Sequence, residues 1–281
     1  MAVNWFPGHM KKAQDGIKKQ LPLVDLTVEI LDSRLPRSSA NRAMEEMTKK
    51  KPRLVLLNKK DMANPKVTDL WVRHFRSLGM EALAVDAQRE NFSLALQKKE
   101  ALLIKDKRAK ENARGMKERP IRMMVFGIPN SGKSTVVNHL AQQKKAKVEN
   151  KPGVTRSNQW IKGPSGILLL DTPGILMTKL TEEQGLHLAW TGAIKDQILD
   201  LQDLTFAFLE WIKDQYPQNL QDRYGVHADQ PPLKLMEDIG MAIGAVQKGG
   251  EIDYARTSQR ILDDFRKLRL GRISLEEPET K

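Results

Sequence analysis

A chain of 281 residues with 40% hydrophobic and 29% charged side chains can bury one large core or two modest ones, and two domains are expected. No apolar run approaches membrane-spanning length, and the opening Met1-Ala2-Val3-Asn4-Trp5 lacks the basic start and apolar core of a signal peptide, so a cytoplasmic protein without membrane contact is expected. The absence of cysteine excludes disulfides, thiolate catalysis and cysteine-zinc sites, and the five histidines are too scattered for a metal-binding pattern. The net charge of +12 is uneven: residues 178–281 hold 13 Lys and Arg against 18 Asp and Glu, leaving 34 against 17 for residues 1–177. The basic portion would suit a polyanion such as RNA, or would simply keep the chain soluble.

Taken in order, Asn4 to Ala13 carries two aromatics and a Pro7-Gly8 turn before a helical pattern through Ile17 and Leu21. Turn chemistry accounts for Pro7 and Gly8, and His9 at the helix start reads as a polar cap or as a catalytic side chain. Val24 to Asp32 is β-branched and partly alternating, hence a strand, with Ser33 to Arg37 leaving it as a loop and a helix following over 41–50. Pro52 to Leu57 reads as a buried parallel strand that runs into Asn58-Lys59-Lys60-Asp61.

This N-x-x-D tetrapeptide, with lysine second, has the chemistry of a guanine reader. Asp61 can accept from the ring N1–H and the exocyclic amine of guanine, whereas adenine would leave the carboxylate unpaired. Asn58 would brace the loop and contact N7, and the Lys59 stem would cover the base. A helix over 68–78 leads to a strand at 82–85 and a loop, Asp86-Ala87-Gln88, whose Ala87 N–H would meet guanine O6; Asp86 stands where GTPases commonly have serine. Residues 98–122 hold ten Lys and Arg against four acids and read as a solvated, partly helical connector rather than an RNA-binding arm.

Met123 to Phe126 is a short strand, Gly127-Ile128-Pro129-Asn130-Ser131-Gly132-Lys133-Ser134 matches G-x-x-x-x-G-K-[ST], and Thr135 to Leu140 is a helix. In this P-loop the backbone N–H groups from Gly127 to Thr135 would wrap a phosphate chain, Lys133 would reach the β- and γ-phosphates, and Ser134 would ligate Mg²⁺. A polar stretch then reaches Thr155, which fits a switch closing on Mg²⁺ and the γ-phosphate. A strand at 158–161 and the run Ile167 to Leu170 follow, ending in Asp171-Thr172-Pro173-Gly174. In this D-x-x-G element Asp171 would hold the Mg²⁺ shell and the Gly174 N–H would sense the γ-phosphate.

From Thr181 the pattern turns helical. Thr181 to Gln184 is a capping box, Leu201, Leu204, Phe208, Leu209 and Ile212 form one apolar stripe, and Leu235, Met236, Ile239, Ala242, Ile243 and Val246 form another. A last helix over 253–270 would place Arg256, Arg260 and Lys267 opposite its apolar face, as a solvated row or an RNA contact.

Ordinary GTPases run P-loop, switches, guanine reader; here the guanine reader comes first, so the chain reads as a circularly permuted α/β P-loop GTPase domain, 1–178, followed by an all-α helical domain, 179–281. Trp5-Phe6-Pro7-Gly8-His9-Met10, the permuted order and the helical tail together resemble the ribosome biogenesis GTPase A family nearly end to end. The resemblance implies hydrolysis of GTP to GDP during late assembly of the large ribosomal subunit, stimulated by that particle, with rRNA and ribosomal proteins as partners, no DNA, and a monomer away from the ribosome. It implies K⁺ dependence, with Asn130 at the position that coordinates the ion, and rRNA contact through the helical domain. Ile175 stands where many GTPases carry the water-orienting Gln and cannot hydrogen-bond water, so in this family His9 becomes the catalytic candidate beside Lys133 and Thr155. The alternative is an rRNA-binding assembly scaffold that uses GTP as a structural switch and hydrolyses it only incidentally.

Overall fold

The computed structural model describes residues 15–141, 159–163, 167–172, 174 and 180–279. Its chain divides into two compact units, Met1–Leu180 with Ser274–Lys281, and Thr181–Ile273. Where a boundary at 178 would leave the whole tail with the helices, the last residues group with the first unit because Ser274, Leu275 and Glu276 are buried in it.

The first unit is built on six strands: β1 (Leu26–Asp32), β2 (Arg53–Asn58), β3 (Glu81–Ala84), β4 (Ile121–Gly127), β5 (Gln159–Lys162) and β6 (Ile167–Asp171). They lie in the order β3-β2-β1-β4-β6-β5, parallel except for the antiparallel β5. Every residue of β1 is buried, as a strand covered on both faces requires. The register sets Asp32 beside Asn58, Ile30 beside Gly127 and Val125 beside Asp171, so the three motif-bearing strands end at one edge of the sheet. Ligands of open parallel sheets bind beyond such carboxyl ends.

The helices of this unit are α1 (Pro36–Ser39), α2 (Arg42–Thr48), α3 (Pro65–Ser77), α4 (Ser93–Ala113) and α5 (Lys133–Ala141). Asn41 and Asn64 cap α2 and α3 by accepting from Met44 N and Lys66 N. On one face of the sheet Leu26, Val28, Ile30, Leu54, Leu56, Met123 and Val125 pack with Leu96 and Ile104 of α4 and Val136, Val137 and Leu140 of α5. On the other, Met44 packs with Met124, Phe126 and Leu170, and Val67, Trp71 and Phe75 of α3 cover Val55 and Leu57. The basic stretch expected as a solvated connector is therefore mostly α4, a packed helix. Its Lys and Arg side chains crowd so much of the surface that the few core positions, Leu96, Glu100 and Ile104, leave little apolar periodicity.

The second unit comprises α6 (Glu182–Trp190), α7 (Leu201–Gln215), α8 (Pro217–Tyr224), α9 (Pro232–Ala242) and α10 (Tyr254–Arg266). The Thr181/Gln184 capping box forms with both hydrogen bonds, at 3.2 and 3.1 Å. Leu204, Phe208, Leu209 and Ile212 are buried as expected, with Trp190 and Phe265 against Phe208 at ring separations of 5.4 and 5.0 Å. The stripe drawn to Val246 ends early: Ile243 caps α9, Gly244 turns the chain at φ +68°, and Val246 pairs with Ile252 in an antiparallel bridge. Among the described residues no helix is long and apolar enough to cross a membrane.

Candidate nucleotide site

Gly127 closes β4 so tightly that a Cβ there would lie 2.6 Å from Ile30 O and 2.8 Å from Ser131 Oγ. Gly132 has φ +87°, and its Cβ would fall 2.1 Å from Asn58 Nδ2. Both glycines are thus demanded by close approach, and the second also by backbone conformation. Between them Asn130 takes φ +60° and Ser131 Oγ donates to Ile128 O at 2.9 Å, which curls the loop ahead of α5. Lys133 and Asp171 are both buried and ion-paired through Lys133 Nζ and Asp171 Oδ1, tying the first turn of α5 to the end of β6. Ser134 and Thr135 are half-buried in that first turn.

Asn58 joins the two motifs that lie far apart in sequence. Its Nδ2 donates to Ser131 O at 2.9 Å, and its Oδ1 accepts from Ala87 N at 3.1 Å. The backbone donor expected at guanine O6 therefore braces Asn58 here, and Asn58 in turn braces the P-loop. Asp86 accepts from Gln88 N at 3.0 Å and Arg89 N at 3.2 Å, so its carboxylate caps the loop. Asp61 is half-buried, and desolvation, reinforced by the Asp86 charge, raises its carboxyl above the ordinary range.

At the end of β6, Thr172 Oγ1 donates to Val125 O at 2.9 Å. Gly174 sits against the P-loop, where a Cβ would come within 3.1 Å of Pro129 N. The D-x-x-G backbone and the P-loop backbone thus share one wall. His9, Thr155 and Ile175 lie outside the described residues.

A family model described as "50S ribosome-binding GTPase" matches residues 122–233. The Ribosome biogenesis GTPase A of Bacillus cereus is 42% identical over 99% of this chain and 95% of its own length, and that of Bacillus licheniformis is 42% identical over 99% of both. The chain belongs to the ribosome biogenesis GTPase A family. Among solved structures, the GDP-bound YlqF aligns with a TM-score of 0.67 at 26% identity over 94% of this chain and 99% of that one. The GNP-bound YlqF from T. maritima aligns at 0.66 and 26% over 96% and 100%. The family makes this chain a GTP hydrolase with a circularly permuted GTPase domain.

A GTPase of this kind typically uses Mg²⁺, and the residues fit such an ion. Asp171 Oδ2 is buried with no hydrogen-bond partner among the described residues, a hard oxygen donor uncommitted to the protein, and the Ser134 hydroxyl opens the neighbouring helix. Sequence reasoning missed a further pair at the same edge of the sheet. Asp32, the last residue of β1, takes Arg34 Nε at 3.0 Å and Nη2 at 2.7 Å, and Lys59 Nζ at 3.0 Å. These cations hold its carboxyl well below the usual range against the desolvation that opposes them. An Asp-x-Arg at a strand end, one strand from the Asn58–Asp61 tetrapeptide, was the available signal.

Proposed function

We propose that this GTPase binds the assembling large ribosomal subunit and hydrolyses GTP there to license a late maturation step. One observation carries the catalytic part: Asn58, the first residue of the guanine-reading loop, donates to Ser131 O of the phosphate loop and accepts from Ala87 N, so motifs separated in the chain serve one nucleotide. The matched family description supplies the ribosomal particle.

On this reading Asp61 selects guanine, the Lys59 stem lies over the base, and the P-loop N–H groups hold the phosphates. A water oxygen attacks the γ-phosphorus in line as its bond to the β–γ bridging oxygen breaks, and GDP leaves. Lys133 counters charge that builds on the phosphates. Ser134, Thr155 and Asp171 would hold Mg²⁺, which supplies charge neutralisation, and Asn130 would hold K⁺ beside the phosphates. His9 orients the water. In the helical unit Arg256, Arg260 and Lys267 are exposed, as an rRNA contact needs, but Lys267 pairs with Asp263 at 2.8 Å and Arg260 with Asp264 at 3.3 Å. Arg223 and Arg269 share that same buried Asp264, at 2.6 and 2.9 Å, so one carboxylate meets three guanidiniums, and Arg260 together with Arg256, whose guanidinium reaches Gly244 O at 3.4 Å, would be the phosphate candidates of the row.

Single-turnover GTP hydrolysis with and without large-subunit precursors, in K⁺ and in Na⁺, tests the proposal. Stimulation by the particle of at least about tenfold, larger in K⁺ and lost in His9→Ala at unchanged nucleotide affinity, is expected. Equal slow rates with and without particles would favour the scaffold reading instead.

A further inference from the structure

The tail of the chain is embedded in the guanine side of the first unit. Glu276 is buried and accepts through its side-chain oxygens from Arg37 N at 2.7 Å, from Ser38 N at 3.2 Å and from the Ser38 hydroxyl. Its carbonyl accepts from Trp71 Nε1 at 3.0 Å. On either side, Leu275 N donates to Arg34 O at 2.7 Å and Ser274 Oγ accepts from Asn64 N at 3.1 Å. These bonds span 205 to 241 residues of sequence, the longest joining Leu275 to Arg34 (275 − 34), so they are held by tertiary structure alone.

The 34–38 segment that the tail grips leads to one side chain of the guanine reader. Arg34 and Ser39 bond Asp32, whose carboxylate bonds Lys59 Nζ. Lys59 itself sits at φ +60°, a left-handed backbone that a residue with a Cβ adopts only when its surroundings impose it. Its ammonium also donates to Asn130 O, at 2.5 Å, so the stem spans from the guanine loop to the P-loop. A lysine stem is flexible and loses much rotamer freedom when fixed, so its position depends on how firmly Asp32 is held.

We propose that residues 274–279 are a positioning clamp for guanine binding: Glu276 and Leu275 fix the 32–38 loop, the Asp32–Arg34 pair fixes Lys59, and Lys59 is thereby preset over the base. Glu276 is a positioning residue and touches no nucleotide. The proposal rests on the reading of Asn58–Asp61 as the guanine site. Loosening the clamp frees Lys59 in the empty site and weakens binding of GTP and GDP alike, because both carry the same base, while the phosphate chemistry of the bound complex is untouched.

The test is steady-state GTP hydrolysis by the full chain, with thermal unfolding recorded for each variant. Glu276→Ala is expected to raise KM for GTP and Kd for GDP about tenfold with kcat within twofold, and Glu276→Gln, which keeps an acceptor of equal length, to recover most of that loss. Trp71→Phe, which removes the donor to Glu276 O along with part of the packed indole, should move KM in the same direction by about threefold and serves if Glu276→Ala does not fold. Asp61→Ala is the control on the site itself. If Asp61→Ala raises KM while folded Glu276→Ala and Trp71→Phe leave it unchanged, the clamp is wrong; if Asp61→Ala also leaves KM unchanged, the guanine reading beneath it is wrong.

Discussion

Gly132 carries the sharpest constraint on any single residue of the site. Its φ of +87° is costly for any side chain, and the space its Cβ would need is taken by Asn58 Nδ2 at 2.1 Å. Gly132→Ala should therefore cost about 1–3 kcal/mol in backbone strain and push Asn58 off Ser131 O, lowering GDP affinity at least about tenfold. Calorimetric titration of GDP decides this, and wild-type affinity in the variant would mean that the loop does not approach Asn58 as described. Residues such as Gly132, Lys133, Asn58 and Asp61 were legible in the sequence because their chemistry is confined to short fixed spacings. Glu276 was not: its partners are brought to it across the fold, and no local spacing signals a pairing 238 residues apart. Asp32 and Arg34 stand two residues apart, but the role of that pair shows only once Lys59 is brought to it from the next strand.

At the scale of the element, β1 carries a cost that β-propensity does not reveal. Glu29 is buried in the strand, its Oε1 takes Asn41 N at 3.3 Å, its Oε2 lies 3.5 Å from Arg53 Nη1, and Oε2 has no hydrogen-bond partner among the described residues. Burial is the largest influence and lifts its carboxyl from 4.5 to about 7, with Arg53 opposing. Because the folded pKa is raised, the folded chain binds the extra proton, and stability present below pH 4.5 is lost as pH rises through about 7. The loss amounts to at most about 3 kcal/mol. Glu29→Gln removes this titration, so urea unfolding at pH 5.5 and 8.5 should show the wild type losing more stability across that interval than the variant. Equal losses would mean that Glu29 stays ionised in the fold. Helix α4 teaches the complementary lesson: charge density hid a packing role that only the burial of Leu96 and Ile104 exposes.

For the whole molecule, permutation rearranges connections without rearranging the site. The carboxyl ends of β2, β4 and β6 bring Asn58, Gly127 and Asp171 to one edge whatever their order along the chain. The order does decide what each loop is connected to. The helical unit joins the first unit by the chain that follows Gly174 and by the chain that enters Ser274, so its two covalent junctions lead from the D-x-x-G motif and into the tail bound at Arg34. The α/β fold class, the C-terminal helices and the permuted layout followed from the motifs and hydrophobic runs, whereas the strand order and the return of the tail to the first unit depended on pairing and burial that no composition shift marks.

If Asn58–Asp61 reads guanine for the phosphate loop at Gly127–Ser134, titration of wild type and Asp61→Asn with GDP and with xanthosine diphosphate will show it. Exchanging the carboxylate for an amide replaces an acceptor for the guanine amine with a donor that suits the xanthine C2 oxygen. GDP affinity should fall roughly a hundredfold and xanthosine diphosphate affinity should rise by a similar factor. Unchanged preference for GDP in the folded variant would mean that Asp61 does not read the base.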